Sequence, residues 1–281
     1  WGTTRVRAAN IVNKKQIQRD SDIAKFCEEF LKTGFKALKT NLVTLSPKPT
    51  IYMPGFGKSD GGPELNPNSE IFTEVENWIS AIRKHVGPEI GIALDLNFNF
   101  KIEGFIELGK RLEKYNLSWL EIDCYNPKSL REVKARLNTP IVSCENLYGS
   151  LAYKPYFDSY SMDIASIDVI WNGISESIQI AHLANLADIN VCTHNFNGHL
   201  STIISGHFSA IVPNLRIAEV DVDDVPWRDD LFTSKPQIRN GYLHLTNDAG
   251  WGIEVNEKIL QRHKLEFLNQ NLKLQFLARV A

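Results

Sequence analysis

Six side chains able to bind a metal ion or move a proton recur along this 281-residue sequence at nearly constant spacing. The six are Asp95, Glu121, Glu145, Asp168, His194 and Glu219. Successive members lie 23 to 26 residues apart, roughly the length of one strand followed by one helix. Each falls near the end of a strand-like run, so we expect all six at equivalent positions in successive strand–helix units.

The first three members of this series are carboxylates. Carboxylates that converge in one pocket raise one another's pKa unless a cation neutralises them. Ligation by oxygen alone selects a hard ion, and a few carboxylates with room for water and substrate suit Mg²⁺. We therefore predict that Asp95, Glu121 and Glu145 bind one Mg²⁺. The alternative, that each acid caps a helix or forms a salt bridge, explains any single residue better than it explains a periodic set.

The next two members, Asp168 and His194, form a predicted acid–base pair. A carboxylate that hydrogen-bonds one imidazole nitrogen fixes the tautomer and leaves the other nitrogen as a general base. Taken alone, His194 would be better explained as a core histidine with satisfied hydrogen bonds. Glu219 could bind a substrate oxygen or form a salt bridge with Arg216 or Arg228.

Apolar runs that alternate with amphipathic segments predict the elements that position these residues. The predicted strands are Thr3–Asn10, Ala37–Asn41, Ile90–Asn97, Ser118–Cys124, Pro140–Asn146, Ser166–Trp171, Asn190–Asn195 and Asn214–Asp221. The predicted helices are Ser21–Thr33, Ser69–His85, Lys101–Tyr115, Lys128–Leu137, Glu176–Ala187 and Thr202–Val212. An open sheet would spread the site along one edge at about 4.8 Å per strand, whereas a closed barrel gathers it around one mouth. We predict an α/β fold with a TIM-type barrel over residues 1–231, an inserted Pro- and Gly-rich loop at 44–68, and a C-terminal segment at 232–281.

The composition predicts an ordinary globular protein. The formal net charge is −2, and Lys and Arg form no broad basic run, which argues against nucleic-acid or anionic-membrane partners. Neither a membrane-spanning run nor a signal-peptide pattern is visible. The four cysteines show no CxxC pairing, as expected of reduced core residues. We expect a cytoplasmic homo-oligomer that acts on a small molecule.

Several motifs resemble the mandelate racemase subgroup of the enolase superfamily. The motifs are Ala93-Leu94-Asp95-Leu96-Asn97, Trp119-Leu120-Glu121, Pro140 to Asn146, Asp163 to Ile174, Thr193-His194-Asn195 and Gly250 to Val255. The resemblance implies a (β/α)7β barrel with an N-terminal α+β capping domain. We expect that cap to be absent from this chain and the segment 232–281 to return toward its place.

The resemblance also implies roles for individual residues. Asp95, Glu121 and Glu145 would be the Mg²⁺ ligands, with one ion per active site. Asp168 and His194 would be the catalytic dyad, and Glu219 would be an electrophilic or substrate-orienting acid. Lys39 would assist the substrate carboxylate.

Two departures from the family pattern bear on the reaction. Racemising members carry two lysines on the second strand, whereas this chain has Lys39-Thr40-Asn41, and an amide cannot act as a base. With one base left, the resemblance is closer to acid-sugar dehydratases such as galactonate dehydratase. Glu121 is followed by Ile122 and Asp123 where the family usually has Glu-Pro, and Asp123 receives no role.

The predicted function is thus Mg²⁺-dependent dehydration of a sugar acid to a 2-keto-3-deoxy acid, with C2 proton abstraction by His194. Asn97 stands where some dehydratases place a histidine acid, so the acid for the leaving hydroxyl stays open between His194 itself, Tyr148 and His199. The predicted substrate-binding residues are Asn97, Asn41, Tyr148 and His199. The alternatives are a sugar-acid epimerase or racemase on the same scaffold and an inactive, metal-binding barrel fragment.

Overall fold

Seven parallel strands form one curled sheet, and six of them end at or beside a member of the periodic series. The computed structural model describes residues 4–7, 9–56, 65 and 69–263. The strands are β1 Ala37–Asn41, β2 Val43–Thr44, β3 Thr50–Ile51, β4 Gly91–Asp95, β5 Trp119–Glu121, β6 Ile141–Ser143, β7 Ile164–Asp168, β8 Asn190–His194, β9 Leu215–Ala218, β10 Gln237–Arg239 and β11 Tyr242–His244. The sheet order is β1-β4-β5-β6-β7-β8-β9. This confirms the predicted α/β, barrel-like architecture.

Helices connect successive strands of this sheet and cover its outer face. They are α1 Thr4–Arg7, α2 Asp20–Leu31, α3 Ser69–Val86, α4 Ile102–Leu112, α5 Pro127–Arg136, α6 Ser150–Asp158, α7 Val169–Asn172, α8 Ile174–Leu186, α9 Gly198–Ile211 and α10 Glu257–Arg262. In α3 the predicted apolar face is buried, as Phe72, Val75 and Trp78 show, because residues three and four apart lie on one side of a helix. Across the described ranges, no helix combines the length and the hydropathy needed to span a membrane.

Strand register brings the polar residues to one level. Asn41 pairs with Asp95, and Asp95 pairs with Glu121. Across the sheet, Asp168 pairs with His194. Because parallel strands in register end together, these side chains surround the same carboxyl edge of the sheet.

A small apolar cluster fills the concave face of the sheet directly below that edge. It consists of Ala93, Trp119, Val142, Ile164 and Cys192, with Ile217 packed against it. Ala93, Trp119 and Cys192 each precede a site residue by two positions. Since side chains two apart point to the same face of a strand, the apolar cluster forms the floor of the site.

The predicted first strand, Thr3–Asn10, is wrong. Residues Thr4–Arg7 form the short helix α1, and both Arg5 and Val6 are buried. The prediction rested on Val6 and Ala8, whereas the neighbouring Arg5 is also buried, through ion pairs with Asp223 and Glu29. The described residues therefore provide seven strands of the parallel sheet rather than eight.

The predicted insertion and C-terminal segment remain expectations as domain boundaries. Within residues 44–68, β2 and β3 pair as a hairpin, and residues 57–64 and 66–68 lie outside the described residues. In the C-terminal segment, β10 and β11 form a second hairpin. It approaches α9 so closely that a Cβ on Gly206 would lie 2.6 Å from Leu243. Residues 264–281 lie outside the described residues.

The ion pair between Arg5 and Asp223 supplies a prediction on stability. Arg5 Nε lies 2.9 Å from Asp223 Oδ2, and the two side chains are only 4% and 2% exposed. Loss of one partner would leave a buried charge uncompensated, so Arg5→Met should lower the free energy of unfolding by about 3 kcal/mol. Urea denaturation measures the change.

The matched control for Arg5→Met is Lys154→Met. Lys154 pairs with Asp158 on the surface of α6, where both side chains are more than half exposed. An exposed pair of this kind contributes about 0.5 kcal/mol. Equal losses in the two variants would show that burial of the Arg5 pair does not matter.

Candidate functional site

Three carboxylates converge at the ends of neighbouring strands. Asp95 ends β4, Glu121 ends β5, and Glu145 lies two residues beyond β6. One oxygen from each side chain lies within 4.8 Å of the others. Among the described residues, Glu121 Oε1 and Glu145 Oε2 are buried and have no hydrogen-bond partner, a costly arrangement unless a cation coordinates them. The donor set therefore fits a hard divalent ion such as Mg²⁺.

Glu145 reaches this cluster through an unusual backbone step. Val142 faces the apolar floor, so simple alternation would turn Cys144 toward the site and Glu145 away from it. Cys144 instead has a φ of 86°, and its side chain packs with the outer core. This left-handed residue reverses the alternation and directs the Glu145 carboxylate to the other two ligands.

Burial and mutual repulsion dominate the electrostatics of the three carboxylates. Burial, together with the charge of Glu121, raises the pKa of Asp95 to about 7. Burial and the charge of Asp95 raise the pKa of Glu145 well above its usual range. Burial would also raise the pKa of Glu121, but the Lys39 ammonium outweighs it and lowers that pKa. A divalent cation would complete this charge compensation.

Asp168 and His194 form the predicted hydrogen-bonded pair. Asp168 Oδ2 lies 2.8 Å from His194 Nδ1. The other oxygen, Oδ1, accepts hydrogen bonds from the backbone N–H groups of Ile170 and Trp171 at 2.9 and 2.8 Å, so Asp168 also caps α7. A carboxylate fixed in this way favours the tautomer with the proton on Nδ1, in which Nε2 carries the lone pair. His194 Nε2 faces Asp95, Glu121 and Glu145, which we call the metal cluster as candidate ligands. It lies 3.5 Å from Glu145 Oε2.

Lys39 links the metal cluster to the last strand of the sheet. Its Nζ lies 3.1 Å from Glu121 Oε2 and 2.8 Å from Glu219 Oε1. Burial would lower the pKa of Lys39, but Glu121 and Glu219 raise it well above its usual value. Glu219 Oε2 also accepts a hydrogen bond from the backbone N–H of Asn195 at 2.8 Å. Glu219 thus pairs with Lys39 and not with the arginines considered from sequence.

The four predicted substrate-binding residues occupy different places. Asn41 Nδ2 donates to Asn97 Oδ1 at 3.3 Å, and the backbone N–H of Asn97 donates to Asp95 Oδ1 at 2.9 Å. These two asparagines lie at the metal cluster. Tyr148, 61% exposed, stacks on Trp171 at a centroid distance of 5.9 Å. Its substrate role stays a prediction.

His199, the fourth predicted substrate-binding residue, contacts Asp229 and Phe232. Its Nε2 lies 2.8 Å from Asp229 Oδ1, and its ring also contacts Phe232. Burial lowers its pKa. The described contacts of His199 do not bring it to the dyad, and its predicted role is untested.

An aromatic wall beside His194 was missed from sequence. The Trp171 and Phe196 rings lie 5.2 and 5.1 Å from the His194 ring, between centroids. Trp171 is the third residue of α7, whereas the sequence prediction ended a strand there. The signal that could have revealed it is Asp168 itself, because an Asp at a strand end is a common N-cap and predicts a turn of helix next.

Comparison with known proteins identifies similar sequences and folds. A family model described as enolase C-terminal domain-like matches residues 22–259. D-xylonate dehydratase of Haloferax volcanii is 27% identical over 202 residues, which are 71% of this chain and 49% of that protein. Arabinonate dehydratase of Saccharolobus solfataricus is 26% identical over 240 residues, 84% of this chain and 63% of that protein. The chain therefore spans only about half to two thirds of the length of these curated relatives.

Solved structures give the same architecture. A protein from Burkholderia xenovorans strain LB400, proposed to be an L-alanine-DL-glutamate epimerase, superimposes with a TM-score of 0.89 and 38% identity. The match covers 93% of this chain and 66% of that one. A second structure of that protein contains magnesium and fumarate, also with a TM-score of 0.89.

Proposed function

Because the chain belongs to the enolase C-terminal domain-like family, we propose that it is a Mg²⁺-dependent dehydratase that converts a sugar acid to a 2-keto-3-deoxy acid. Relatives that are sugar-acid dehydratases support the reaction class. The observation that carries the proposal is the combination of one hydrogen-bonded base, His194, with Asn41 in the place of a second base.

In the proposed reaction, His194 Nε2 removes the proton from C2 of the sugar acid. Asp168 stabilises the imidazolium that forms, because its Oδ2 already accepts from Nδ1. The imidazolium then returns this proton to the 3-hydroxyl, which leaves as water. The resulting enol tautomerises to the 2-keto-3-deoxy acid, so atoms and charge balance.

The remaining site residues bind and orient the acid. Asp95, Glu121 and Glu145 would hold the Mg²⁺, which when bound supplies the positive charge that makes the C2 proton acidic enough for imidazole. The Lys39 ammonium would assist the substrate carboxylate from the side of Glu121 and Glu219. The aromatic wall would shield the reacting face from water.

An epimerase is the second candidate, and the 38% identity to the Burkholderia xenovorans protein favours it. Epimerisation needs a proton donor and an acceptor on opposite faces of C2. Asn41 cannot supply either, and the ion pairs of Lys39 with Glu121 and Glu219 raise its pKa, which opposes release of a proton from its ammonium. The available groups therefore support one-base chemistry better.

The test is an assay of aldonates and aldarates with Mg²⁺, in which semicarbazide detects released keto acid. A dehydratase should release keto acid only when Mg²⁺ is present. Inversion at C2 with deuterium uptake and no keto acid would identify an epimerase. Mg²⁺ binding without exchange or product across the panel would identify an inactive metal-binding fragment.

A further inference from the structure

Asp123 is a buried carboxylate to which the proposed reaction gives no task. It follows Glu121 by two residues, just past β5, and is 4% exposed. Its Oδ2 accepts a hydrogen bond from Asn146 Nδ2 at 2.9 Å. Asn146 directly follows Glu145, so this bond joins the segments that carry the second and third metal-ligand candidates.

The backbone of Asp123 extends the connection to the first ligand. Its N–H donates to the Asn97 carbonyl oxygen at 3.1 Å, and the N–H of Asn97 donates to Asp95 Oδ1 at 2.9 Å. Asn97 Oδ1 in turn accepts from Asn41 Nδ2. These hydrogen bonds connect the carboxyl ends of four neighbouring strands, β1, β4, β5 and β6.

The metal cluster needs such a connection because the strands alone do not position it. β5 and β6 have three residues each, and the pairing recorded between β6 and β7 ends at Ser143. Glu145 lies beyond that last pair and after the left-handed Cys144. In addition, three like charges repel one another. The hydrogen bond between Asn146 and Asp123 joins the segments that follow these two strands.

We propose that Asp123 is a positioning residue, which holds Glu145 through Asn146 and Asp95 through Asn97 in the arrangement that binds the cation. This inference rests on the proposed metal site. Asp123 acts as a hydrogen-bond acceptor, not as an added negative charge. An amide oxygen at the same position can accept the same bond from Asn146, whereas a methyl group cannot.

The experiment measures the affinity for Mg²⁺ alone by titration calorimetry on the full chain. Loss of an outer hydrogen bond to a metal site typically costs about 10- to 100-fold in affinity, so Asp123→Ala should weaken binding by about that factor. Asp123→Asn should bind within about twofold of the wild type because it restores the acceptor. Asn146→Ala removes the same bond from its donor and should match Asp123→Ala.

Asn146→Ala also keeps the test decisive if Asp123→Ala fails to fold. A double variant, Asp123→Ala with Asn146→Ala, should lose no more affinity than either single variant, since both remove one bond. Glu113→Ala is the matched control, because Glu113 accepts a similar bond from Asn138 before β6, away from the ligand-bearing ends. It should leave Mg²⁺ affinity unchanged.

Each outcome separates this inference from the proposed function. If the wild type binds no Mg²⁺, the proposed metal site itself is wrong. If the wild type binds and Asp123→Ala binds equally well, only the positioning role is wrong. Weak binding by Asp123→Asn would show that charge matters instead, and additive losses in the double variant would rule out the shared bond.

Discussion

Replacement of His194 with asparagine is expected to slow deuterium exchange at C2 of a sugar acid by about 10²- to 10⁴-fold, the usual contribution of a general base. An asparagine side chain can still donate to Asp168 Oδ2 but has no basic nitrogen to face the metal cluster. The rate is measured by NMR in deuterated buffer with saturating Mg²⁺. Wild-type exchange by His194→Asn would disprove the assignment of the base.

The matched control for this variant is His182→Asn. His182 is exposed on α8, so the same change of residue type there should leave the exchange rate within a few-fold of the wild type. Mg²⁺ affinity is measured in parallel on His194→Asn. Retained affinity with lost exchange would assign the defect to proton transfer and not to metal binding.

Asp95→Asn is expected to stabilise the metal-free protein while it removes the response to Mg²⁺. The pKa of Asp95 rises from 3.8 to about 7 on folding, because burial and Glu121 disfavour its charge. The unfolded chain therefore loses this proton at lower pH than the folded one, and stability falls as pH rises from about 4 to 7. Three pKa units correspond to about 4 kcal/mol. Because asparagine carries no charge, the Asp95→Asn variant should avoid a loss of folding stability of about that size at high pH.

Urea denaturation with EDTA at about pH 5 and about pH 8 measures this effect. The advantage of Asp95→Asn should be small at the lower pH and largest at the higher one. Mg²⁺ should then raise the stability of the wild type but not of the variant. Asp188→Asn is the control, because Asp188 is exposed and has a positive φ that asparagine also tolerates. No gain by Asp95→Asn would contradict carboxylate repulsion.

The positions of Asp95, Glu121 and the Asp168–His194 pair could be predicted because they depend on repeated local patterns. Asp95, Glu121 and His194 are terminal residues of their strands, and the side chain two positions earlier is apolar in each case. Such positions follow from strand periodicity and chain length between units. The parallel order of the strands then brings the residues together without further information.

The remaining features depend on single backbone angles or distant partners. Glu145 faces the cluster only because Cys144 takes a φ of 86°, which no apolar pattern encodes. Arg5 is buried against Asp223, 218 residues away. Its segment forms a helix instead of the strand predicted from Val6. The position of His199 likewise depends on a distant partner, Asp229, 30 residues further along the chain. Sequence patterns report local periodicity, whereas these features are tertiary.

The two carboxylate oxygens of Asp168 have different partners, and this limits how the substrate range could be changed. One of its oxygens orients the base, and the other begins the helix that carries Trp171 in the wall of the site. In the proposed reaction, selection of the substrate and transfer of the proton would therefore share one carboxylate. A loop transplanted between Asp168 and Asn172 to admit a larger acid would also rotate the imidazole. Variation of Tyr148 or Phe196, which do not hydrogen-bond this carboxylate in the described structure, offers a route to new substrates that leaves the base in place.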